Sequence, residues 1–254
     1  MGGEIPMTNL DTRLDREKAF HNKRFEEEGR QAQEKYYHAI SDGAHKFTAM
    51  VNQAAQERDI VELGCAIGQT LEDVVGFKSA LGVNISDEAV RQAQQRNRKN
   101  MAFWCGDAHA LPIESESVDL VLGRGILHHL DTERCLAECQ RVLRPGGKVL
   151  FWEPLGSNPI FNFYRDRTPE ARTVDEHPLL SIDFKLARDY FAGVKVERYG
   201  FLTLVTTLAP VGLQGTVRGL LRPIDQALFA VPSLDNLAWY CILSCEKEAR
   251  PSLV

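Results

Sequence analysis

Short apolar runs recur along this chain, and the polar stretches between them space their apolar residues as helices do. Asp59-Ile-Val-Glu-Leu-Gly is the first run, Ser79-Ala-Leu-Gly-Val-Asn-Ile the second, Met101-Ala-Phe-Trp-Cys the third and Val118-Asp-Leu-Val-Leu-Gly the fourth. Lys148-Val-Leu-Phe-Trp-Glu, following Arg144-Pro-Gly-Gly, is a fifth. Runs of this length, bounded by turn residues, predict buried strands. The stretch from Asp87 to Arg98 predicts a helix with Ser86 or Asp87 as its N-cap. Asp131 to Leu143 predicts another, stopping before Pro145-Gly146-Gly147. Strands alternating with helices imply a parallel sheet covered on both faces.

The flanks have a different texture. Asp11 to Met50 is rich in Glu, Lys, Arg and Gln, and reads as solvated helix packed loosely on something else. Leu155 to Tyr190 is too long for a plain connection, so it is expected to hold helices of its own and a function. Val194 to Phe201 predicts a sixth strand and Trp239 to Glu246 a last one. Between them, Leu202 to Leu237 is apolar and punctuated by glycine and proline. The expected organisation is one domain over residues 1–254. It divides into an N-terminal helical cap (1–56), a core (57–154), a lid or insertion (155–193) and C-terminal strands with an apolar segment (194–254).

Composition narrows the class. With 254 residues and 44% hydrophobic content, the chain can bury one large α/β core. A net charge of −5 offers no basic field, so no nucleic-acid partner is expected. The start, MGGEIPMTNL, lacks the basic and apolar regions of a secretory signal, and no run is long enough for a transmembrane helix. The expected location is the cytoplasm. The six cysteines include no C-x-x-C pair, so they read as reduced thiols without zinc spacing.

The chemistry-bearing residues gather at the ends of the predicted strands. Glu62-Leu63-Gly64-Cys65-Ala66-Ile67-Gly68 forms a strand-to-helix turn whose small residues let a ligand approach the backbone. Its spacing is not that of a dinucleotide fingerprint, which disfavours an oxidoreductase. Asn84 ends the second strand where a ribose-binding group belongs, or else it only caps the next helix. Asp107 and Ala108, past the third strand, suit the edge of an adenine, with a plain turn as the alternative. His128 and His129 follow the fourth strand, and His177 lies in the long connection. These histidines are candidates for a general base or for orienting a substrate, with a purely structural role as the alternative. No metal is expected, because neighbouring side chains should point apart and no third ligand is obvious. Phe161, Phe163, Tyr164, Phe191 and Phe201 suggest a small hydrophobic acceptor, or are simply core.

Taken in order, these motifs resemble class I methyltransferases, closest to the type 11 group that includes ubiquinone and menaquinone biosynthesis enzymes. The resemblance covers about residues 57–154. It implies a Rossmann-like, doubly wound seven-stranded sheet with an antiparallel last strand, the N-terminal cap and an insertion after strand 5. The implied cofactor is S-adenosyl-L-methionine, leaving as S-adenosyl-L-homocysteine, and the implied partner is a small-molecule methyl acceptor. A homodimer is left open. By the resemblance, Gly64, Cys65, Ala66 and Gly68 would lie along the methionine and ribose, with Glu62 supporting the loop. Asn84 and Ile85 match the ribose position, Asp107 and Ala108 the adenine position, and Arg124 the backbone carbonyl that receives the methionine amine. Tyr37 would touch the methyl end. Asn84 stands where the family has an acid. A cyclisation or rearrangement using the same cofactor, or a non-catalytic scaffold, are the rival readings.

Overall fold

The computed structural model describes residues 37–167 and 176–249 apart from Asn97, together with 13, 15–19 and 22 of the N-terminal segment. Seven strands form one sheet: β1 (Asp59–Leu63), β2 (Ser79–Asn84), β3 (Met101–Cys105), β4 (Val118–Arg124), β5 (Leu143–Pro154), β6 (Lys195–Tyr199) and β7 (Tyr240–Glu246). The spatial order is β3-β2-β1-β4-β5-β7-β6. The first five run parallel, and β7 lies antiparallel between β5 and β6.

The helices are α1 (Ser41–Ala55), α2 (Gln69–Asp73), α3 (Asp87–Gln94), α4 (Thr132–Val142), α5 (Pro159–Asp166), α6 (Ser181–Tyr190) and α7 (Val211–Phe229). Period-two alternation splits the strand side chains between two cores. Ile60, Leu120, Leu122, Leu150 and Trp152 pack on one face with Phe47 and Val51 of α1, Leu71 of α2 and Val90 of α3. Val61, Leu63, Val121, Val149 and Phe151 pack on the other with Leu136 and Val142 of α4 and Phe184 of α6.

The structure sharpens several expectations. Ser86 is the N-cap of α3, its hydroxyl accepting from the Ala89 N–H at 3.1 Å. The fifth strand begins at Leu143, ahead of the Pro-Gly-Gly, with a register shift against β4 that absorbs the turn residues. The expected loose packing of the N-terminal stretch is corrected over α1, where Phe47, Val51 and Ala55 are fully buried. That helix replaces solvent on a sheet face which would otherwise be bare. The connection after β5 does carry its own helices, α5 and α6. Phe191 is core, which decides against it as an acceptor contact. The side chain of Tyr164 lies outside the described residues. Leu202 to Leu237, read only as apolar, folds into a 3-10 stretch (Leu202–Leu208), the long α7 and a short 3-10 turn. Among the described residues no helix is long and apolar enough to cross a membrane.

Candidate active site

The carboxyl ends of β3, β2, β1 and β4 stand side by side, so their following loops form a row. Three strand intervals make that row about 14 Å long, which suits an extended nucleoside–amino acid conjugate. The loop after β1 turns through positive φ at Gly64 (68°), Ala66 (48°) and Gly68 (84°). A side chain at Gly64 would also strike Ile126, with its Cβ 2.6 Å from Cγ1. Both observations explain why small residues occupy this turn. Beneath it, the Glu62 carboxyl is buried and one of its oxygens, Oε2, has no hydrogen-bond partner among the described residues. Burial pushes Glu62 up to about 7, against the opposing pull of the Thr70 hydroxyl, the Arg124 charge and the Leu71 N–H. The Cys65 thiol is pushed well up, by burial first and by Glu62 second, and so stays neutral.

Asn84 uses its side-chain oxygen to accept from the Ser86 N–H at 2.8 Å. The bond closes an Asx turn ahead of the helix that Ser86 caps, and the amide oxygen has a second lone pair to offer. Ile85 beside it is half-buried. Asp107 accepts from the His109 backbone N–H at 2.9 Å and pairs with its ring Nδ1 at 2.6 Å. The ring's other nitrogen accepts from the Asp131 N–H at 3.0 Å, so the proton sits on Nδ1 and donates to Asp107. Burial favours the neutral Asp107 carboxyl, but the bonds from His109 outweigh it and hold Asp107 below its ordinary value. Glu138 fixes the same loop from α4, accepting from the Leu111 N–H at 2.6 Å. Ala108 is buried beneath it.

The loop after β4 is organised by one carboxylate. Glu153, fully buried near the end of β5, accepts from the N–H groups of Ile126 and Leu127, both at 2.9 Å, through Oε1. Its Oε2 pairs with His128 Nδ1 at 2.7 Å. A carboxylate already accepting two bonds takes a third, so a neutral His128 carries its proton on Nδ1 and its lone pair on Nε2. His129 lies beside it, its ring tilted by 40° with centroids 4.2 Å apart, against the expectation that neighbours point apart. The 3-10 turn over Leu127–His129 is what brings the rings together. His177 is tied down by its backbone N–H to the His128 carbonyl at 2.8 Å. Its Nε2 faces the Thr132 hydroxyl at 3.4 Å, and that hydroxyl donates to Asp183 at 2.7 Å.

Two segments cover this rim. From the N-terminal side, Arg13 donates to the His129 carbonyl at 2.9 Å, Lys18 pairs with Asp87 and Asn22 accepts from the Ser86 hydroxyl at 2.5 Å. The far end of the rim is aromatic, with Trp239 stacked between Phe161 at 4.8 Å and Tyr37 at 5.7 Å. Tyr37 thus meets the ends of β5 and β7, away from the loop after β1, and is partly exposed. No motif or spacing pointed to Glu17, whose Oε2 lies 3.2 Å from His129 Nδ1, nor to the structural work of His109. Only the position of Glu153 at a strand end hinted at its part.

Residues 61–151 match the family model described as "Methyltransferase domain". Residues 61–151, on this sheet order, are similar to class I methyltransferase domains. The cofactor that this similarity implies is S-adenosyl-L-methionine. Among curated relatives, a phthiotriol/phenolphthiotriol dimycocerosates methyltransferase of Mycobacterium ulcerans is 34% identical over 42% of this chain and 41% of its own length. The demethylmenaquinone methyltransferase of Lactococcus lactis is 33% identical over 42% of this chain and 45% of its own. The chain thus spans less than half the length of these relatives. Among solved structures, geranyl diphosphate C-methyltransferase from Streptomyces coelicolor, in complex with Mg2+, geranyl diphosphate and S-adenosyl-L-homocysteine, superposes with a TM-score of 0.64. It covers 96% of this chain and all of its own at 11% identity, which establishes the shared fold. The residues present fit the cofactor: small residues turn over a buried acid at β1, a hydrogen-bonding amide follows at β2, and an ionised carboxylate at β3.

Proposed function

We propose that this protein transfers the methyl group of S-adenosyl-L-methionine to a small, apolar or aromatic acceptor. The observation that carries this reading is the order of groups along the rim. The loop after β1, Asn84 and Asp107 lie on one side, the aromatic stack of Tyr37, Trp239 and Phe161 on the other, and His128 between them. On this reading Asp107 accepts from the adenine amine, the Ala108 N–H donates to a ring nitrogen, and Asn84 meets the ribose. Gly64 to Gly68 let the amino-acid portion approach the backbone, and the Arg124 carbonyl receives its amine. When bound, the cofactor supplies an electrophilic methyl group on a sulfonium.

The chain's own work is positional. It aligns the acceptor for in-line attack, keeps water out, and provides for one proton. Of the three candidate histidines, His128 has its Nδ1 engaged by Glu153, which leaves Nε2 for the acceptor side. His177 is occupied with Thr132 and serves to hold the insertion on the rim. The two curated relatives are named for a lipid and a quinone precursor, which supports an apolar acceptor here.

The experiment is incubation of the full chain with S-adenosyl-L-methionine and fractionated small-molecule extracts. A methylated product and S-adenosyl-L-homocysteine should appear in equal amounts. Tight cofactor binding without turnover in every fraction would overturn the enzymatic reading in favour of a scaffold. A rearranged product with no homocysteine form released would favour cyclisation.

A further inference from the structure

His128, His129 and Glu176 each place one ligand atom within 4.8 Å of the others. They come from two segments distant in sequence, the turn after β4 and the end of the insertion, which the His177–His128 backbone bond holds together. The separation of His128 Nε2 from Glu176 Oε1 is 4.0 Å. Two ligands on a tetrahedral metal with bonds near 2.0–2.1 Å stand roughly 3.4 Å apart, so this pair would need to close by well under an ångström. Both histidines are buried and Glu176 is nearly so.

The surroundings suit a cation. Glu153 Oε2 stands behind His128 at Nδ1, the carboxylate–histidine arrangement that orients an imidazole and makes its free nitrogen a better ligand. Glu17 Oε2 stands 3.2 Å from Nδ1 of His129. Three carboxylates thus stand around two adjacent imidazoles.

We propose that His128, His129 and Glu176 bind a divalent transition-metal ion whose open positions take a hydroxyl oxygen of the methyl acceptor. Two imidazoles and one carboxylate suit zinc, cobalt or iron better than calcium or magnesium. The second half rests on the methyltransferase reading, and it narrows the acceptor to a phenol or enol. The acceptor's hydroxyl proton goes to water, its oxygen forms the new C–O bond, and the departing sulfur keeps the C–S electron pair. His128 Nε2 then serves as a ligand and not as the proton acceptor.

The test titrates the full chain, freed of metal, with Co2+ followed by visible absorption and with Zn2+ followed by calorimetry. One equivalent should bind, with the absorption of a four- or five-coordinate nitrogen–oxygen site. Glu176→Gln changes a half-buried residue of the insertion and should weaken binding about tenfold or more. His129→Asn should do the same, with thermal melting to confirm the fold. Acetohydroxamate, an oxygen chelator, should shift the Co2+ spectrum if positions are open. No saturable uptake by the wild type, or equal affinity in folded variants, overturns the metal site, and an unmoved spectrum overturns the open position. Calorimetry with S-adenosyl-L-methionine on the same samples separates the two ideas. Cofactor binding without Co2+ uptake sinks the metal site alone, while Co2+ uptake without cofactor binding sinks the methyltransferase reading and the acceptor half with it.

Discussion

At the scale of single residues, two carboxyl groups at the rim are held in opposite states. Asp107 is kept ionised by His109, which its other partner, the Asp131 N–H, fixes in one tautomer. Asp107→Ala removes a charge-assisted acceptor worth about 1.5–3 kcal/mol, so calorimetry should show cofactor affinity falling roughly tenfold or more. Unchanged affinity in a folded variant would reassign the residue to the turn. Asn84→Asp keeps the oxygen that accepts from Ser86 and adds a second acceptor, so cofactor binding should hold or tighten in the same assay. Glu62 is the opposite case, raised by burial to about 7 from the ordinary 4.5. The unfolded chain gives up that proton first, so Glu62 supports stability fully below about pH 4.5. The support is lost as pH rises through about 7, by roughly 3 kcal/mol in all. Urea melts of the wild type should therefore weaken between pH 5 and 8, and Glu62→Gln should flatten that slope.

At the scale of elements, buried carboxylates join pieces that no periodicity links. Asp225 on α7 is buried and accepts from the backbone N–H groups of Phe201, Leu202 and Thr203 and from the Thr203 hydroxyl, at 2.8–3.2 Å. That single side chain anchors the amphipathic α7 to the 3-10 stretch after β6. Asp225→Ala leaves those donors without their acceptor in a dry place, and should cost about 2–4 kcal/mol in a urea melt. Glu153 does the same for the turn after β4, so its loss should displace both histidines together.

At the scale of the whole molecule, the rim lies between two covers. The insertion is pinned at its far end, where the Leu179 N–H bonds the Pro154 carbonyl and the Gly156 N–H bonds that of Leu179. On the N-terminal side, Arg13 meets the His129 carbonyl and Asn22 meets Ser86. If the N-terminal segment closes over bound cofactor, amide exchange at Arg13–Asn22 should slow on adding S-adenosyl-L-methionine, while α4 and β4 stay unchanged. Exchange indifferent to cofactor would reduce the segment to a fixed cover.

The sequence by itself determined the layered α/β sheet, its strands and most of the rim. Those features follow from local pattern: apolar runs, a capping serine before α3, small residues where the chain must turn at Gly64 and Gly68. It also put Asn84, Asp107 and His128 at strand ends, because a parallel sheet brings all its carboxyl ends to one edge. What only the tertiary structure decided were contacts between segments far apart in the chain. Glu153 behind His128, Glu176 and Glu17 beside the histidine pair, and Asp225 under the turn after β6 have no spacing that reveals them. A charged residue in a mixed stretch is most often solvated, so pattern alone assigns it to the surface. Burial and pairing are set by which loops the sheet order places together, and that order is a property of the folded chain.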